Sequence, residues 1–201
     1  MPRSLRSRLL TLARARRILR TADVARIGVH TQLLTRLVAE GALERVGRGR
    51  YRPPEADITE HHGLALTALA VPRGVVCLLS ALVFHGIGTQ SPSEVWVAVD
   101  RRARAPRADW PPLRVVRFSG RALTAGVEEH RIEGQVVRVY SLPKTICDCF
   151  KYRNKLGLDV ALEALKDAWN RRRIRMADLD EYARVCRVER VMRPYLEALS
   201  A

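Results

Sequence analysis

The stretch TADVARIGVHTQLLTRLVAEGALERVGRGRYR, residues 21–52, decides the fold. Thr21 offers a hydroxyl cap, Val24 and Ile27 lie three apart, and Gly28 ends this short helix because glycine readily takes the left-handed terminal conformation. Leu33, Leu34, Leu37 and Val38 then form the apolar face of a further helix that stops at Gly41, leaving Thr31, Gln32, Thr35 and Arg36 outside. A short helix, a glycine turn and a helix whose outer face carries base-edge donors and acceptors is the layout of a helix-turn-helix, whose second helix lies in the major groove. His30 stands at the start of that helix as a cap or phosphate contact rather than a metal ligand, since no second ligand stands near it in sequence.

Leu43 to Val46 and Arg50 to Arg52 then read as strands around Gly47-Arg48-Gly49, where glycines permit a tight hairpin. This predicts a wing, with Arg48 at its tip and Arg45 and Arg50 beside it, reaching phosphates or a narrow minor groove. Upstream, Leu5, Leu9, Leu12, Ala15 and Leu19 make one stripe of a first helix, with arginines mostly around it.

Charge divides the chain in the same place. The first 52 residues hold 13 arginines and 3 acids, net +10, whereas the other 149 carry net +5. Pro53-Pro54 follows, and a proline pair resists helix, so the expected division is residues 1–54 for a winged helix-turn-helix and 55–201 for a second domain. A total of +15 over 201 residues points to a polyanionic partner. The longest apolar run, Val75 to Phe84, is far too short to span a bilayer, and no apolar signal core follows the basic N-terminus, so a cytoplasmic protein without membrane partner is expected.

The second domain opens with a helix of about residues 60–71 capped by Thr59, and a helical segment from Ser80 to Gly86. Strands take over at residues 94–99 and 113–118, and at 127–132 and 136–140 around Glu133-Gly134; beyond Pro143 the period is helical again. That order predicts an α+β class, with a small, mainly antiparallel sheet and a helical C-terminus.

Residues with chemistry in them have bland readings. His61 and His62 point about 100° apart on a helix and read as solvated or capping side chains; His85, ending an apolar helix, reads as satisfied and partly buried. Cys77, Cys147, Cys149 and Cys186 lack zinc or redox spacing and read as reduced core thiols, and Asp148 as a partner for a backbone amide, Lys144 or Arg153. No phosphate loop, dinucleotide fingerprint or zinc-protease motif is present, so neither cofactor nor catalytic residue is expected. Acids near strands, Asp100, Glu128 and Glu133, leave a magnesium-dependent nuclease as the enzymatic alternative. Arg171, Arg172, Arg173 and Arg175 suit either a helix C-terminus or a second set of phosphate contacts.

The order of parts, namely a winged helix closing in Leu43 to Tyr51, a helical Ser80 to Gly86, and Val139-Tyr140-Ser141-Leu142-Pro143-Lys144-Thr145-Ile146-Cys147-Asp148 before a helical C-terminus, resembles the AbiEi antitoxins of AbiE type IV toxin-antitoxin systems. The likeness runs from about Leu5 to Leu199. It implies a bacterial autorepressor that binds inverted repeats in its own promoter and counteracts a nucleotidyltransferase-like toxin without a stable complex. It puts promoter contacts on Thr31 to Arg36 and Arg45 to Arg50, and assigns no residue to neutralisation. Some relatives carry a fused endonuclease-like segment, which this chain is expected to lack. A winged-helix regulator with an effector-binding second domain is the remaining alternative.

Overall fold

The computed structural model describes residues 4–106, 108 and 110–200. The N-terminal part contains α1 (Leu5–Arg16), β1 (Leu19–Arg20), α2 (Thr21–Arg26), α3 (Gln32–Ala39), β2 (Glu44–Gly47) and β3 (Arg50–Arg52). Leu9, Ala13, Leu19, Val24, Val29, Leu34, Leu37 and Leu43 close one aliphatic core between the helices and an antiparallel sheet ordered β1-β3-β2. The expected first helix is shorter than its leucine stripe. It ends at Arg16, Arg17 takes a left-handed φ of 58°, and Leu19 is buried from a strand rather than from the helix. Thr21 likewise lies inside α2, whose cap is Arg20; the Arg20 amide donates to Asp23 Oδ2 at 3.1 Å.

The rest of the chain adds α4 (His62–Ala70), β4 (Val75–Val76), α5 (Leu78–His85), β5 (Val95–Asp100), β6 (Leu113–Phe118), α6 (Arg121–Thr124), β7 (Val127–Ile132) and β8 (Gln135–Tyr140). Helices α7 (Leu142–Lys151), α8 (Arg153–Leu156), α9 (Leu158–Asn170), α10 (Met176–Cys186) and α11 (Glu189–Ser200) complete it. The α+β class is as expected, but the second sheet, ordered β6-β5-β4-β8-β7, is more evenly mixed than a mainly antiparallel one. Its pairs β4–β5 and β7–β8 are antiparallel, and β5–β6 and β4–β8 parallel. The two-residue strand β4 at the centre, too short to show a period, is what joins the parallel pair β5–β6 to the hairpin β7–β8. Thr59 does not cap α4: both its amide and its hydroxyl donate to Glu133 Oε1.

Alternation along the strands sends Val75, Ala98, Val116, Phe118 and Tyr140 to one face, which α7, α9 and α10 cover with Ile146, Phe150, Leu165 and Leu179. The opposite face presents Val76, Val137 and Val139 to Leu64, Ala65 and Leu66 of α4. Two residues from the N-terminal part belong to this second cluster. Ile18, 1% exposed, is buried in it, and Val46 packs against it. Val46 arrives there because β2 bulges between Arg45 and Gly47, and a bulge re-aims the side chain it carries.

The tip of the β7–β8 hairpin seals this contact. Gln135 Nε2 donates to the carbonyls of Arg16 at 2.9 Å and Ile18 at 3.3 Å. Gly134 has φ +74°, and a Cβ there would lie 2.6 Å from the Arg16 carbonyl oxygen, so both the turn and the close approach require glycine. Ile18→Ala should therefore cost about 2–5 kcal/mol through the cavity left in the second cluster. It should do so in a single cooperative thermal transition; a separate early melting of residues 5–52 would show that Ile18 does not join the two parts.

Candidate nucleic-acid interface

The turn between α2 and α3 is made by Gly28 at φ 72°, and Val29 buries itself directly after it. Leu34 and Leu37 then fix α3 against the N-terminal core. The opposite side of α3 presents Thr31, Gln32, Thr35 and Arg36, all exposed, at the one-turn spacing that keeps them on neighbouring rows. Thr31 occupies the cap position without a side-chain bond, and His30 supplies it instead: its Nδ1 accepts the Gln32 amide at 3.3 Å. His30 is exposed, and its role here is the cap that the sequence offered as one reading.

The hairpin has its turn at Arg48-Gly49, and Arg48 stands exposed at the tip. Gly49 docks the turn on α2: the Thr21 amide donates to its carbonyl at 2.9 Å, and a Cβ at this φ of +66° would sit 2.9 Å from Thr21 Oγ1. Arg45 is exposed and reaches the Gly47 carbonyl at 3.4 Å. Arg50 is half-buried and donates to the Trp110 carbonyl at 3.4 Å, so it ties the hairpin to the loop before β6.

Acids sort the remaining arginines. Asp23 is bound by Arg16 at 2.6 Å and Arg20 at 3.4 Å, Glu40 by Arg6 at 2.5 Å, and Glu44 by Arg52 at 2.6 Å. After the proline pair, Glu55 meets Arg14 at 3.2 Å and Asp57 meets Arg17 at 3.9 Å. Arg8, Arg26, Arg36 and Arg48 have no side-chain partner among the described residues and are all exposed. Arg8 and Arg26 escaped the sequence reading because nothing in the local pattern distinguishes them; the signal was the pairing of their neighbours. Burial alone would raise the Asp23 carboxyl, but the Arg20 amide and guanidinium, with Arg16, hold it below its ordinary value.

The second basic cluster is mostly engaged. Arg171 pairs with Asp167 at 2.7 Å and donates to the Gly86 carbonyl, Arg173 donates to the His85 carbonyl at 3.5 Å, and Arg175 binds Asp178 through two nitrogens. Arg172, at φ 54° beyond the end of α9, is exposed and has no side-chain partner among the described residues.

The acids of the nuclease alternative lie in separate settings. Asp100 Oδ1 accepts the Arg102 amide at 2.8 Å, and Glu128 is exposed on β7. Glu133 is buried and bound by Thr59 and by His62 Nδ1 at 2.6 Å. His62 is thus the largely buried partner of a carboxylate rather than a solvated or capping side chain, because the β7–β8 turn reaches back over the start of α4. Burial would raise Glu133, but bonds from His62 and Thr59 outweigh it and hold the carboxyl low. Among the described residues no group of three or more His, Cys, Asp or Glu is disposed to hold a metal ion.

The other bland readings find specific partners. His85 Nε2 lies 2.8 Å from the Tyr140 carbonyl, and Lys144 Nζ meets Asp148 Oδ2 at 2.6 Å beneath the Tyr140 ring. Cys186 donates to the other oxygen of Asp148. All four cysteines are buried, and burial pushes each thiol up, away from the thiolate a nucleophile needs. Among the described residues no helix is long and apolar enough to cross a membrane.

Residues 7–54 match the family model described as a transcriptional regulator, AbiEi antitoxin, which bears out the resemblance over the helix pair and hairpin. The whole architecture is similar to the crystal structure of RV2827C protein from Mycobacterium tuberculosis, with a TM-score of 0.59 at 15% identity over 89% of this chain and 71% of that one. That likeness is one of fold. No curated protein matches the chain.

The Asp23 cluster gives the interface a pH signature. A carboxyl lowered on folding stabilises the fold fully above its unfolded pKa, near 3.9, and the contribution disappears as pH falls through the lower folded value. Thermal midpoints measured downward from pH 6 should fall steeply in that acid window. Asp23→Asn should flatten the fall and cost about 1 kcal/mol at neutral pH through the weakened start of α2. An unchanged acid profile would mean that Asp23 carries none of it.

Proposed function

We propose that residues 1–54 form a winged helix-turn-helix that reads duplex DNA and that residues 55–201 form the domain with which this regulator acts as an antitoxin. The observation that carries the reading is the sorting of arginines. The acids of residues 1–57 occupy Arg6, Arg14, Arg16, Arg17, Arg20 and Arg52, while Arg36 on α3 and Arg48 on the hairpin keep theirs exposed and unneutralised. Guanidinium suits both phosphate and guanine edges, because its fixed fork of donors matches paired acceptors.

In this mechanism α3 enters the major groove. Gln32 and Arg36 lie in reach of base edges, Thr31 and Thr35 bond phosphates or bases, and His30 holds the helix start. Arg48 and Arg45 follow the adjacent backbone or minor groove, Arg50 orients the hairpin from behind, and Arg8 and Arg26 add charge at the margins. Of the second cluster, Arg172 is the residue left for a further phosphate contact. The resemblance supports an operator in the chain's own promoter, autorepression, and a nucleotidyltransferase-like toxin opposed without a stable complex. Duplex DNA and that toxin are the partners, and no membrane is involved.

Footprinting on the upstream region of the gene tests the operator, and growth rescue against the adjacent gene product tests neutralisation. If about five phosphates are neutralised, log affinity should fall against log salt with a slope of about −4 to −5. A flat slope would exclude groove binding of this kind. Arg36→Ala or Gln32→Ala should each cost about 1–3 kcal/mol on the operator and relax sequence choice, whereas equal losses on random DNA would reduce them to phosphate contacts. Arg48→Ala should weaken all sequences alike and make the salt slope shallower by about one.

A further inference from the structure

A cavity of about 720 Å³ opens at the carboxyl end of β6, between the chain just after Phe118, the end of α7 and the end of α10. Four cations line it, Arg121 of α6, Lys151 of α7, and Arg184 and Arg187 around the end of α10, against one acid, Glu181. These come from three elements far apart in sequence, so tertiary structure alone brings the charges together. Arg121, Lys151 and Arg187 have no side-chain partner among the described residues, and Arg184 has only Glu189 at 3.5 Å with both side chains exposed. Arg171 and Arg175, by contrast, are closely paired, with Asp167 and with Asp178. Ser119 and the backbone of Gly120 add small polar groups to the rim, and among the described residues no aromatic side chain lines the space.

We infer that this cavity binds a small polyphosphate-bearing molecule. Gathering four like charges around a concave surface is unfavourable in isolation, and its field concentrates multivalent anions there. Guanidinium and ammonium groups from different sides match several phosphate oxygens at once, and the volume suits a molecule of nucleotide size. With no ring available for stacking, the phosphates rather than a base are what the site recognises. The site is separate from the DNA-reading surface. Arg50 of the hairpin touches Trp110, before the start of β6, whereas the cavity lies beyond Phe118 at its other end, a strand length of about 17 Å away.

Titration calorimetry on the full chain at low salt, with inorganic tripolyphosphate, ATP and adenosine, tests this. Tripolyphosphate and ATP should each bind one per chain with similar affinity, and adenosine should give no heat. The double variant Arg121→Gln, Lys151→Gln should melt at the unchanged temperature, bind both phosphates at least about tenfold more weakly, and keep its affinity for DNA. Arg36→Ala should bind both as the parent does. Absence of saturation at millimolar ligand would overturn the proposal, as would binding of ATP but not tripolyphosphate. Loss of phosphate binding in Arg36→Ala would overturn it by moving the anion to the DNA surface. Loss of DNA affinity in the double variant would overturn it by making the cavity part of the duplex contact. A failure of DNA binding by the parent leaves the calorimetric result standing on its own.

Discussion

Ile18 and Leu19 are consecutive, both buried, and face opposite ways. Ile18, in the bend just before β1, enters the cluster between α4 and the second sheet, while Leu19, the first residue of β1, enters the core of α1 to α3. A helix continued through these positions would have turned them only about 100° apart and could not have served both cores. Arg17, at a positive φ of 58°, ends α1 and leads through a tight turn, in which the Ile18 amide donates back to the Arg16 carbonyl, into β1 at Leu19. The bulge at Val46 repeats the device from the other edge of the small sheet. Helix α3 and the β2–β3 hairpin are therefore held in a defined orientation to the second sheet by shared hydrophobic burial, not carried on a linker.

The same junction explains the electrostatics around it. Residues 53–61 run between the parts with Glu55 facing Arg14 of α1 and Asp57 facing Arg17 just after it, while Glu133 turns inward to Thr59 and His62. Acids near the junction are thus spent on internal arginines and amides, and the excess charge is displaced toward α3 and the hairpin tip. Bulk composition points to a polyanionic partner; the pairing pattern decides which cations are left exposed and unpaired among the described residues.

Wherever a local pattern was sufficient, the fold was legible in the residues. The apolar row of α3, the glycine turns at Gly28 and Gly47 to Gly49, the period-two strands and the capping role of His30 follow from neighbours in sequence. Contacts made by distant chain were not legible. Leu19 fits a helical stripe as well as a strand, Thr59 looks like a cap until Glu133 arrives from 74 residues away, and β4 has no period to read. His62 is ordinary until the β7–β8 turn covers it. The exposed face of α3 was readable because it packs on nothing among the described residues, whereas Arg8 and Arg26 stand out only once the acids have chosen their partners.

Hairpin tips are ordinarily where proteases nick and where insertions are accommodated, because nothing rests on them. The Glu133-Gly134-Gln135 tip inverts that habit. Its backbone lies against the last carbonyl of α1, its glutamine bonds that carbonyl and the one of Ile18 just beyond, and its glutamate anchors the start of α4. Fluorophores attached through exposed side chains belong instead on the solvent-facing turn after β5, at Arg101 to Ala105, whose backbone Arg117 holds in place from β6. A single added residue at the tip would pry the two halves of the protein apart.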